Sequence, residues 1–563
     1  MQGLMMDQPL LLSALLEHAA RWHGNAPLVS RLPDASLGRG DWSHCARRAA
    51  RLAGALQAVG VQPGERVATL AWNSTRHLEL YFAIPGMGAV LHTVNPRLFP
   101  EQLRHILQHA GDRVVFLDPQ LLGLAARLAP SLAGVRRWVV LCDAAELALA
   151  AAGLAAVEHP AEAAGQGDGV AALQGLQDYE SFLAGHPETF AWPRLDEQAA
   201  ASLCYTSGTT GLPKGVLYSQ RSIVLHAMAI SQPDAFCLSA RDTVLPVVPM
   251  FHVNAWGLPH AAAMHGAALV LPGARLDADS LFALMDGEGV TVAAGVPTVW
   301  LAVLEAMRRV GRAPRALQRL VIGGAACPPM LADALGAEFG IQVLHAWGMT
   351  ETSPVATVAR ARHATPADVA ARVHESQGRP LFGVDLEVVD GDGRALAHDG
   401  ASQGELLVRG AWVASAYFGE TAQPGALRES WFATGDVAQL DAEGLVRITD
   451  RSKDVIKSGG EWISSIELEN AALLHADVQE AAAIGLAHPR WGERPVLLVV
   501  ARPGSAPDRA DILACMATRM ARWWLPDDVI FVSSLPHTAT GKLSKLTLRE
   551  QYRDYRFPEP GKS

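Results

Sequence analysis

Short apolar runs alternate with segments of helical length between about residues 201 and 346, and this alternation restricts the folds open to the chain. Five of the runs have the length and composition of buried strands: DTVLPVVPM, AALVLPG, VTVAAGV, LQRLVIGG and IQVLHAWG. Most are separated by stretches long enough for a helix, such as PPMLADALGAEFG. Strands that alternate with helices pack as a parallel sheet covered by helices, so we predict a doubly wound α/β unit.

The same theme occurs earlier, from RVATLAWN through HILQHAGDRVVFLD, and predicts a second sheet layer. From residue 377 to about 450 the pattern changes to short strands separated by Gly turns, which is typical of a β-rich subdomain. A mixed region follows, and Ser464 to Glu467 have the sequence of a helix capping box. The Ala- and Gly-rich stretch 144–185 indicates a surface insertion or an irregular connection.

These patterns predict an α/β protein with a large N-terminal domain and a small one after it. The N-terminal domain spans residues 1–450 and contains two parallel-type sheet layers with helices, plus the β-rich subdomain at 377–450. Residues 451–563 form a small, mobile α+β C-terminal domain, and the hinge lies near 450–454 in the sequence DRSKD.

Composition excludes several classes of protein. The chain has 563 residues and a formal net charge of -10, which disfavours nucleic acid as a main partner. Its six cysteines are far apart and form no zinc-ligand pattern, so we expect a reducing, cytoplasmic location. The N-terminal run lacks preceding basic residues and is interrupted by Asp7 and Glu17, which favours an amphipathic helix over a signal peptide. No apolar run is long enough to span a bilayer, so we expect a soluble protein.

The stretch YTSGTTGLPKGV, residues 205–216, has the composition of a phosphate-binding loop. Glycines let the backbone approach an anion, the hydroxyls and N–H groups can donate to phosphate oxygens, and Lys214 supplies a positive charge. A Walker loop needs GxxxxGK followed by Ser or Thr at the start of a helix, and that spacing is absent here. Pro213 instead predicts a rigid turn between two strands.

This stretch resembles the phosphate-binding signature of the adenylate-forming superfamily, which includes acyl-CoA synthetases, luciferases and peptide-synthetase adenylation domains. Further motifs follow in that family's order: PMFHVNAWG, VIGGAACP, HAWGMTE, SQGRP, FATGDVA, DRSKDVIKSGGEWISSIELE and LPHTATGKL. The resemblance covers about residues 10–550 and is strongest to bacterial medium- and long-chain fatty acyl-CoA synthetases. It implies ATP-dependent formation of an acyl-AMP with release of pyrophosphate, followed by transfer of the acyl group to CoA.

The resemblance also implies a nucleotide site, position by position. The phosphates would contact Thr206, Ser207, Gly208, Thr209, Thr210, Gly211 and Lys214. Adenine, ribose and the α-phosphate would contact Gly323, Gly324, Ala325, Trp347, Gly348, Thr350, Asp436 and Arg451. Glu351 would hold Mg²⁺, for which one carboxylate suffices when phosphates and water complete the coordination. Trp347 stands where relatives more often have tyrosine.

The remaining roles concern the acid, CoA and the moving domain. Lys542 matches the lysine that contacts the carboxylate and the α-phosphate, and it joins Lys214, His252, Thr350 and Glu351 as a catalytic residue by resemblance. The acyl pocket or its gate would comprise His252, Trp256, Gly295 and Val296. The CoA channel would include Gly459, Gly460 and Trp462, and Lys453 occupies the hinge position.

Several alternatives stay open at this point. A synthetase for a short or sulfur-containing acid shares the SGGEWISS texture. An amino-acid-adenylating domain would need an acidic residue where this chain reads FHVN. A luciferase-like oxidase is also conceivable, as is a non-catalytic AMP-binding protein, although the latter would not need the C-terminal lysine. The relatives imply a homodimer through the N-terminal region, and peripheral membrane contact lacks a basic amphipathic helix to support it.

Overall fold

The computed structural model describes residues 1, 3–157, 169–206, 212–361, 367–419, 427–428, 430–459, 461–537 and 543–557. Within these ranges the strands are β1 Pro27–Arg31, β2 Leu37–Asp41, β3 Arg66–Leu70, β4 Val90–Thr93, β5 Val114–Leu117, β6 Arg137–Val140, β7 Gln177–Asp178, β8 Ala200–Tyr205, β9 Gly215–Ser219, β10 Thr243–Pro246, β11 Ala268–Leu271, β12 Val292–Gly295, β13 Arg319–Ile322, β14 Gln342–Gly348, β15 Val355–Ala359, β16 Arg379–Pro380, β17 Val384–Val389, β18 Gln403–Gly410, β19 Leu427–Arg428, β20 Trp431–Leu440, β21 Val446–Arg451, β22 Ile456–Ser458, β23 Glu461–Ile463, β24 Val478–His488, β25 Gly492–Ala501 and β26 Asp528–Phe531.

The α-helices in the same ranges are α1 Leu12–Trp22, α2 Trp42–Ala58, α3 Thr75–Gly86, α4 Pro100–Ala110, α5 Leu122–Leu128, α6 Ala144–Val157, α7 Tyr179–Leu183, α8 Gln220–Ser231, α9 Leu258–His265, α10 Ala278–Gly287, α11 Pro297–Val310, α12 Pro329–Phe339, α13 Ala367–Glu375, α14 Ser465–Ala472, α15 Arg509–Ala517 and α16 Lys545–Gln551. Local sequence explains several starts. The Asp41 and Asp277 carboxylates accept hydrogen bonds from the first turns of α2 and α10. Ser464 Oγ accepts one from Glu467 N, which is one half of the predicted capping box, whereas the Glu467 carboxylate pairs with Arg447.

The largest sheet has nine strands in the order β16-β15-β14-β13-β12-β10-β11-β1-β2. The run from β14 to β1 is parallel, whereas β15, β16 and β2 pair antiparallel at the two sides. The five apolar runs of the sequence are β10 to β14. The predicted parallel sheet is therefore confirmed.

A second sheet has seven strands in the order β7-β6-β5-β3-β4-β8-β9, and it is parallel except for β9. Strands β8 and β9 flank the Gly/Thr-rich loop as an antiparallel pair, as predicted from Pro213, with Tyr205 opposite Gly215. In its described parts, 144–157 and 169–185, the Ala- and Gly-rich stretch is more regular than the sequence indicated, because it contains α6 and α7, and β7 extends this sheet beside β6. Ala-rich composition hid the helix, since a helix of nearly uniform hydrophobicity shows no periodic pattern.

The two large sheets share one apolar core. Helix α3 lies in it with every residue from His77 to Gly86 buried, and the Trp42 indole N–H donates to Ala267 O at 3.0 Å. The same core receives side chains from strands of both sheets, such as Val67 and Phe116 from one and Val244 and Leu344 from the other. The opposite faces are covered by α4 and α5 on the smaller sheet and by α10 to α12 on the larger one.

Two five-stranded sheets follow. One contains β17, β18, β20, β19 and β21 and corresponds to the predicted β-rich stretch. The other contains β22 to β26 and packs with α14 and α15 around its own apolar core. The fold class is confirmed as α/β with a large N-terminal and a smaller C-terminal domain. The predicted boundary at residue 450 and the hinge at 450–454 stay predictions, and that segment joins β21 to β22.

All six cysteines are free. Among the described residues, no helix combines the length and the apolar character needed to cross a membrane.

Candidate active site

A cavity of about 450 Å³ lies at the carboxyl edge of the nine-stranded sheet, where ligands of open α/β sheets bind. Strand β13 ends at Ile322 just before Gly323, and β14 ends with Trp347 and Gly348 in the cavity wall. Of the residues predicted from the sequence, those that line the cavity are Thr206, Lys214, His252, Trp256, Gly323, Gly324, Trp347, Gly348, Thr350, Glu351, Arg451 and Lys453. Motifs far apart in the chain therefore meet at one site.

The two stems of the Gly/Thr-rich loop are fixed to each other. Thr206 N donates to Lys214 O at 2.9 Å, and Lys214 N donates to Thr206 Oγ1 at 3.3 Å. This pairing continues the β8–β9 ladder to the base of the loop and places the lysine at the cavity. The loop residues Ser207, Gly208, Thr209, Thr210 and Gly211 lie outside the described residues.

A buried carboxylate connects the aromatic wall of the cavity to an arginine. The Trp347 indole N–H donates to Asp436 Oδ2 at 2.9 Å, and Arg451 Nε lies 2.7 Å from Asp436 Oδ1. The Asp436 side chain is only 3% exposed. Because one partner bonds each oxygen, the carboxylate has a fixed orientation, and Trp347 is positioned by the same bond. The negative charge of Asp436 is the main cause that raises the pKa of Arg451, and burial opposes the rise.

Two glycines in the cavity wall lie so close to neighbouring residues that a side chain would not fit. A side chain at Gly323 would lie 2.8 Å from Ala346 O and 3.2 Å from the Trp256 ring. A Cβ on Gly348 would overlap Pro354 O at 1.8 Å. These two glycines are therefore required by close packing, which their place in the motifs did not by itself reveal.

The segment after His252 has an unusual backbone. Residues Val253, Asn254, Ala255 and Trp256 have φ between 46° and 56°, and Gly257 follows at 77°. Each non-glycine residue in the left-handed region costs roughly 1–2 kcal/mol, so the surrounding structure must hold this turn in place. Asn254 contributes, since its Oδ1 accepts a hydrogen bond from Ser202 Oγ at 3.2 Å on strand β8. The strained turn brings Trp256 to the cavity, 6% exposed.

Glu351 is buried and bonded to an aromatic side chain from a distant segment. The Tyr417 hydroxyl donates to Glu351 Oε1 at 2.6 Å, and Ala414 N donates to Glu351 O at 2.7 Å. Burial raises the pKa of Glu351, and the Tyr417 hydrogen bond opposes that rise. The preceding Thr350 is fixed through its carbonyl, which accepts from the buried Tyr218 hydroxyl at 2.7 Å.

Tyr417 also lies against the loop lysine. Lys214 Nζ is 4.6 Å from the centre of the Tyr417 ring, within the range of a cation–π contact. Sequence reasoning missed Tyr417, Tyr218 and Asn254, whose side chains support residues of the motifs. The two adjacent aromatic residues in AYFGE, shortly after strand β18, were the sequence feature that could have pointed to Tyr417.

Other predicted residues lie away from this cavity. Gly295 ends β12, and a Cβ there would lie 3.0 Å from the Trp300 ring; Gly459 packs against Trp491 and Trp523; Trp462 is 44% exposed on β23. Val296 and Ala325 are adjacent to strand ends but do not line the cavity. Lys542 and Gly460 lie outside the described residues. Their predicted roles stay predictions.

The residues at the cavity could hold a metal ion whose coordination is completed mainly by bound phosphate groups and water. Within the described ranges, no group of three or more His, Cys, Asp or Glu side chains could form a protein cage for a metal ion. Glu351 is the one carboxylate among the described residues that line the cavity, and one of its oxygens accepts from Tyr417. Mg²⁺ usually binds through one or two carboxylates together with phosphates and water, so these residues are compatible with it.

Comparison with known protein families identifies the family of this chain. A model of the AMP-binding enzyme family matches residues 16–418, and a model of the AMP-binding enzyme C-terminal domain matches residues 467–542. The chain belongs to the AMP-binding enzyme family. The resemblance inferred from the motifs is confirmed.

Curated relatives match along nearly the whole chain. A 3-methylmercaptopropionyl-CoA ligase of Ruegeria pomeroyi is 49% identical, covering 98% of this chain and 99% of the relative. A medium-chain-fatty-acid–CoA ligase of Ectopseudomonas oleovorans is 45% identical, with 98% of each chain covered. A long-chain-fatty-acid–CoA ligase of Thermus thermophilus is 44% identical, with 98% and 97% covered. Among solved structures, the anthranilate CoA ligase AuaEII in complex with anthranoyl-AMP superimposes with a TM-score of 0.83 at 25% identity, covering 97% of this chain and 98% of that one.

Proposed function

We propose that this AMP-binding enzyme is an acyl-CoA synthetase, which activates a carboxylic acid with ATP as acyl-AMP and then transfers the acyl group to CoA. The observation that carries the proposal is the meeting of Lys214, Glu351 and the Trp347–Asp436–Arg451 group at one cavity. A site for a nucleoside triphosphate requires a cation for the phosphates, a carboxylate that binds the metal ion and a carboxylate that accepts from the ribose hydroxyls. The curated relatives are named as CoA ligases of three kinds, which supports the thiol acceptor.

In the first half-reaction, the acid carboxylate attacks the α-phosphorus and pyrophosphate leaves. Negative charge gathers on the phosphoryl oxygens in the transition state, so fixed cations and N–H donors lower the barrier most effectively. Lys214 and the loop between β8 and β9 would bind the β- and γ-phosphates, and Lys542 would contact the carboxylate and the α-phosphate. Mg²⁺ bound with ATP would neutralise phosphate charge, with Glu351 as its protein ligand.

The nucleoside end would be oriented by the residues that already bond one another. The Trp347 ring would stack on adenine, and the Gly323–Gly324 backbone, which also lines the cavity, would form the opposite wall. Asp436 would accept hydrogen bonds from the ribose hydroxyls through lone pairs that Trp347 and Arg451 do not use.

In the second half-reaction, the CoA thiol attacks the acyl carbonyl and AMP leaves. Lys542 must withdraw before the thiol enters, so the small domain would rotate about the segment near Lys453. That segment is anchored on the large domain, because Ser452 N donates to Gly435 O at 3.0 Å. Gly459, Gly460 and Trp462 would line the CoA channel after the rotation, which is compatible with the absence of Gly459 and Trp462 from the lining of the cavity.

The acid is proposed to be a medium- or long-chain fatty acid. Trp256 would serve as the gate to the acyl pocket, with Gly295 and Val296 farther along it, and His252 beside the carboxylate. A short sulfur-containing acid is the second candidate, because the 3-methylmercaptopropionyl-CoA ligases of two Ruegeria species share 49% and 47% identity with this chain.

The deciding experiment is ATP–pyrophosphate exchange with saturated acids from acetate to palmitate and with 3-(methylthio)propanoate, followed by addition of CoA. Exchange that peaks at medium or long chains, with thioester formed on addition of CoA, would support the first candidate. A maximum at the sulfur-containing acid would select the second. Exchange only with amino acids, or with no acid, would contradict the acyl-CoA synthetase.

Three finer properties belong to the same proposal. The exchange should require Mg²⁺, be abolished by EDTA, and recover when Mg²⁺ is restored. The enzyme should be a homodimer in solution, as its resemblance to dimeric relatives implies. A cytoplasmic location is consistent with six free cysteines.

A further inference from the structure

A second cavity, of about 880 Å³, lies at the amino edge of the nine-stranded sheet. Asp242, Thr291 and Gln318 line it, and each immediately precedes a parallel strand: β10, β12 and β13 respectively. The four residues of strand β13, Arg319 to Ile322, separate the two cavities by roughly 13 Å. We refer to this second site as the amino-edge cavity.

The floor of the amino-edge cavity is a buried ion pair with its bonds already satisfied. The Arg319 guanidinium pairs with Asp242 and donates to Phe236 O at 3.0 Å and to Cys237 O. Asp242 also accepts from Thr291 Oγ1 at 2.9 Å and from Ser239 N at 2.8 Å. These two residues hold the loop 232–241 against the sheet and have little capacity left for a ligand.

The rim of the amino-edge cavity carries positive charge that the ion pair at the floor does not neutralise. Arg241 is exposed and Arg360 is half-buried, and the Arg360 guanidinium donates to Ala235 O at 3.2 Å. Asp242 is the one carboxylate among the described lining residues, so the lining carries three arginines against one acid on a chain whose net charge is -10. Positive charge concentrated in a concave site raises the local concentration of anions.

Part of the remaining wall is apolar, and the wall also contains an unsatisfied polar atom. Met228 on α8 and Met264 on α9 line the cavity together with Leu238. His265 Nε2 is buried and has no hydrogen-bond partner among the described residues, and buried ring nitrogens normally have one. An occupant with both a polar and an apolar part would satisfy this wall.

From this arrangement we propose that the amino-edge cavity binds an organic anion, whose phosphate or carboxylate head contacts Arg241 and Arg360 and whose apolar body contacts Met228 and Met264. Guanidinium groups suit both heads because they donate two parallel hydrogen bonds to a pair of oxygens. The far end of a fatty acid bound at the carboxyl edge is excluded by chemistry, since a terminal methyl group gains nothing from arginines. The site is independent of the proposed catalytic activity.

Cys237 provides a reporter inside the cavity. Cys237 and Cys515 are the two partly exposed cysteines, and the other four are buried. The alkylation rate of each by iodoacetamide can be followed by peptide mass spectrometry, with Cys515 as an internal control in the same molecules. The probes are octyl phosphate, octanoate, inorganic phosphate and uncharged octyl glucoside.

The expected result is at least a fivefold slower alkylation of Cys237 with octyl phosphate or octanoate, and an unchanged rate at Cys515. The concentrations of octyl phosphate and of octanoate that halve the alkylation rate are then compared, and the lower one identifies the preferred head group, phosphate or carboxylate. The double variant Arg241→Gln/Arg360→Gln should raise that concentration by about tenfold or more, since each charged hydrogen bond lost weakens binding by about that factor. The charge-matched control Arg127→Gln/Arg275→Gln, at two exposed arginines away from the cavity, should behave as the wild type.

Equal protection by octyl glucoside, or undiminished protection in the double variant, would overturn the proposal. Equal protection by inorganic phosphate alone would overturn the part that assigns an apolar body. Titration calorimetry with octyl phosphate gives a second readout: binding heat in the wild type that disappears in Arg241→Gln/Arg360→Gln supports the site, and its persistence contradicts it. ATP–pyrophosphate exchange measured on the same double variant should be unchanged, which separates this proposal from that of the catalytic function.

Discussion

The two edges of the nine-stranded sheet use charged residues in different ways. At the carboxyl edge, Asp436 and Glu351 are held by a few bonds from Trp347, Arg451 and Tyr417, and the lysine lies at the cavity. At the amino edge, the Arg319–Asp242 pair is bonded to backbone carbonyls and hydroxyls on every side. The loops that follow the strands thus present groups to a ligand, whereas the strand starts tie layers together.

The comparison predicts that residues of the amino-edge floor determine stability and those of the carboxyl edge determine activity. The difference can be tested by variants that should change one property and leave the other intact.

The largest effect is expected from Arg319→Met. The Arg319 and Asp242 side chains are 11% and 6% exposed, so removal of the guanidinium leaves a buried, uncompensated carboxylate. Loss of one partner of such a pair typically costs about 3–5 kcal/mol of unfolding free energy. Urea unfolding measures the loss, and turnover per folded molecule at low temperature should stay near the wild-type value.

The matched control is Arg309→Met on α11. Arg309 pairs with Asp279, but the two side chains are 61% and 77% exposed, so water and salt screen the interaction. Its urea midpoint should stay near that of the wild type. If Arg319→Met and Arg309→Met lower the free energy of unfolding by similar amounts, the buried Arg319–Asp242 pair contributes no more to stability than an exposed ion pair.

Lys542→Ala should have the opposite profile. The resemblance assigns this lysine to the carboxylate and the α-phosphate in the first half-reaction, and one such donor is typically worth about 3–4 kcal/mol of transition-state stabilisation. ATP–pyrophosphate exchange should therefore fall by about two to three orders of magnitude, with unchanged urea unfolding. Thioester formation from acyl-AMP supplied directly should survive, since the lysine has left by then. A parallel loss of both half-reactions would contradict this division.

The sequence predicted the fold, and it singled out residues that the structure brings together at one cavity, because both depend on local patterns. Strand-length apolar runs predicted β10 to β14, and contiguous motifs predicted the positions of Lys214 and Trp347 at the cavity. Tyr417 was missed because its hydroxyl acts on Glu351, which is distant in sequence. The amino-edge cavity was missed for the same reason, since its arginines come from separate segments and no short motif contains them.

A moderate effect is expected from Trp347→Phe. Phenylalanine keeps an aromatic face but lacks the N–H that donates to Asp436 Oδ2 at 2.9 Å. A hydrogen bond to a charged group contributes about 1.5–3 kcal/mol, so the KM for ATP should rise by about tenfold or more while kcat with saturating ATP changes little. Trp347→Tyr, the residue more usual in relatives, serves as the comparison. An unchanged KM in Trp347→Phe would show that the indole N–H does not position the ribose-binding carboxylate.

The smallest effect, and the most specific, is expected from Tyr417→Phe. Burial raises the pKa of Glu351, and the Tyr417 hydrogen bond lowers it, so loss of the hydroxyl raises the pKa further. A protonated Glu351 cannot bind Mg²⁺, so exchange should decline as the pH falls, and in the variant that decline should begin at a higher pH. At alkaline pH Glu351 is ionised in both proteins and can bind Mg²⁺, so the two rates should be close. The Mg²⁺ dependence should shift in the same direction, with a higher half-saturating concentration at the lower pH values. A uniform rate loss at every pH and every Mg²⁺ concentration would mean that Tyr417 acts through packing against Lys214 instead of through the Glu351 carboxylate.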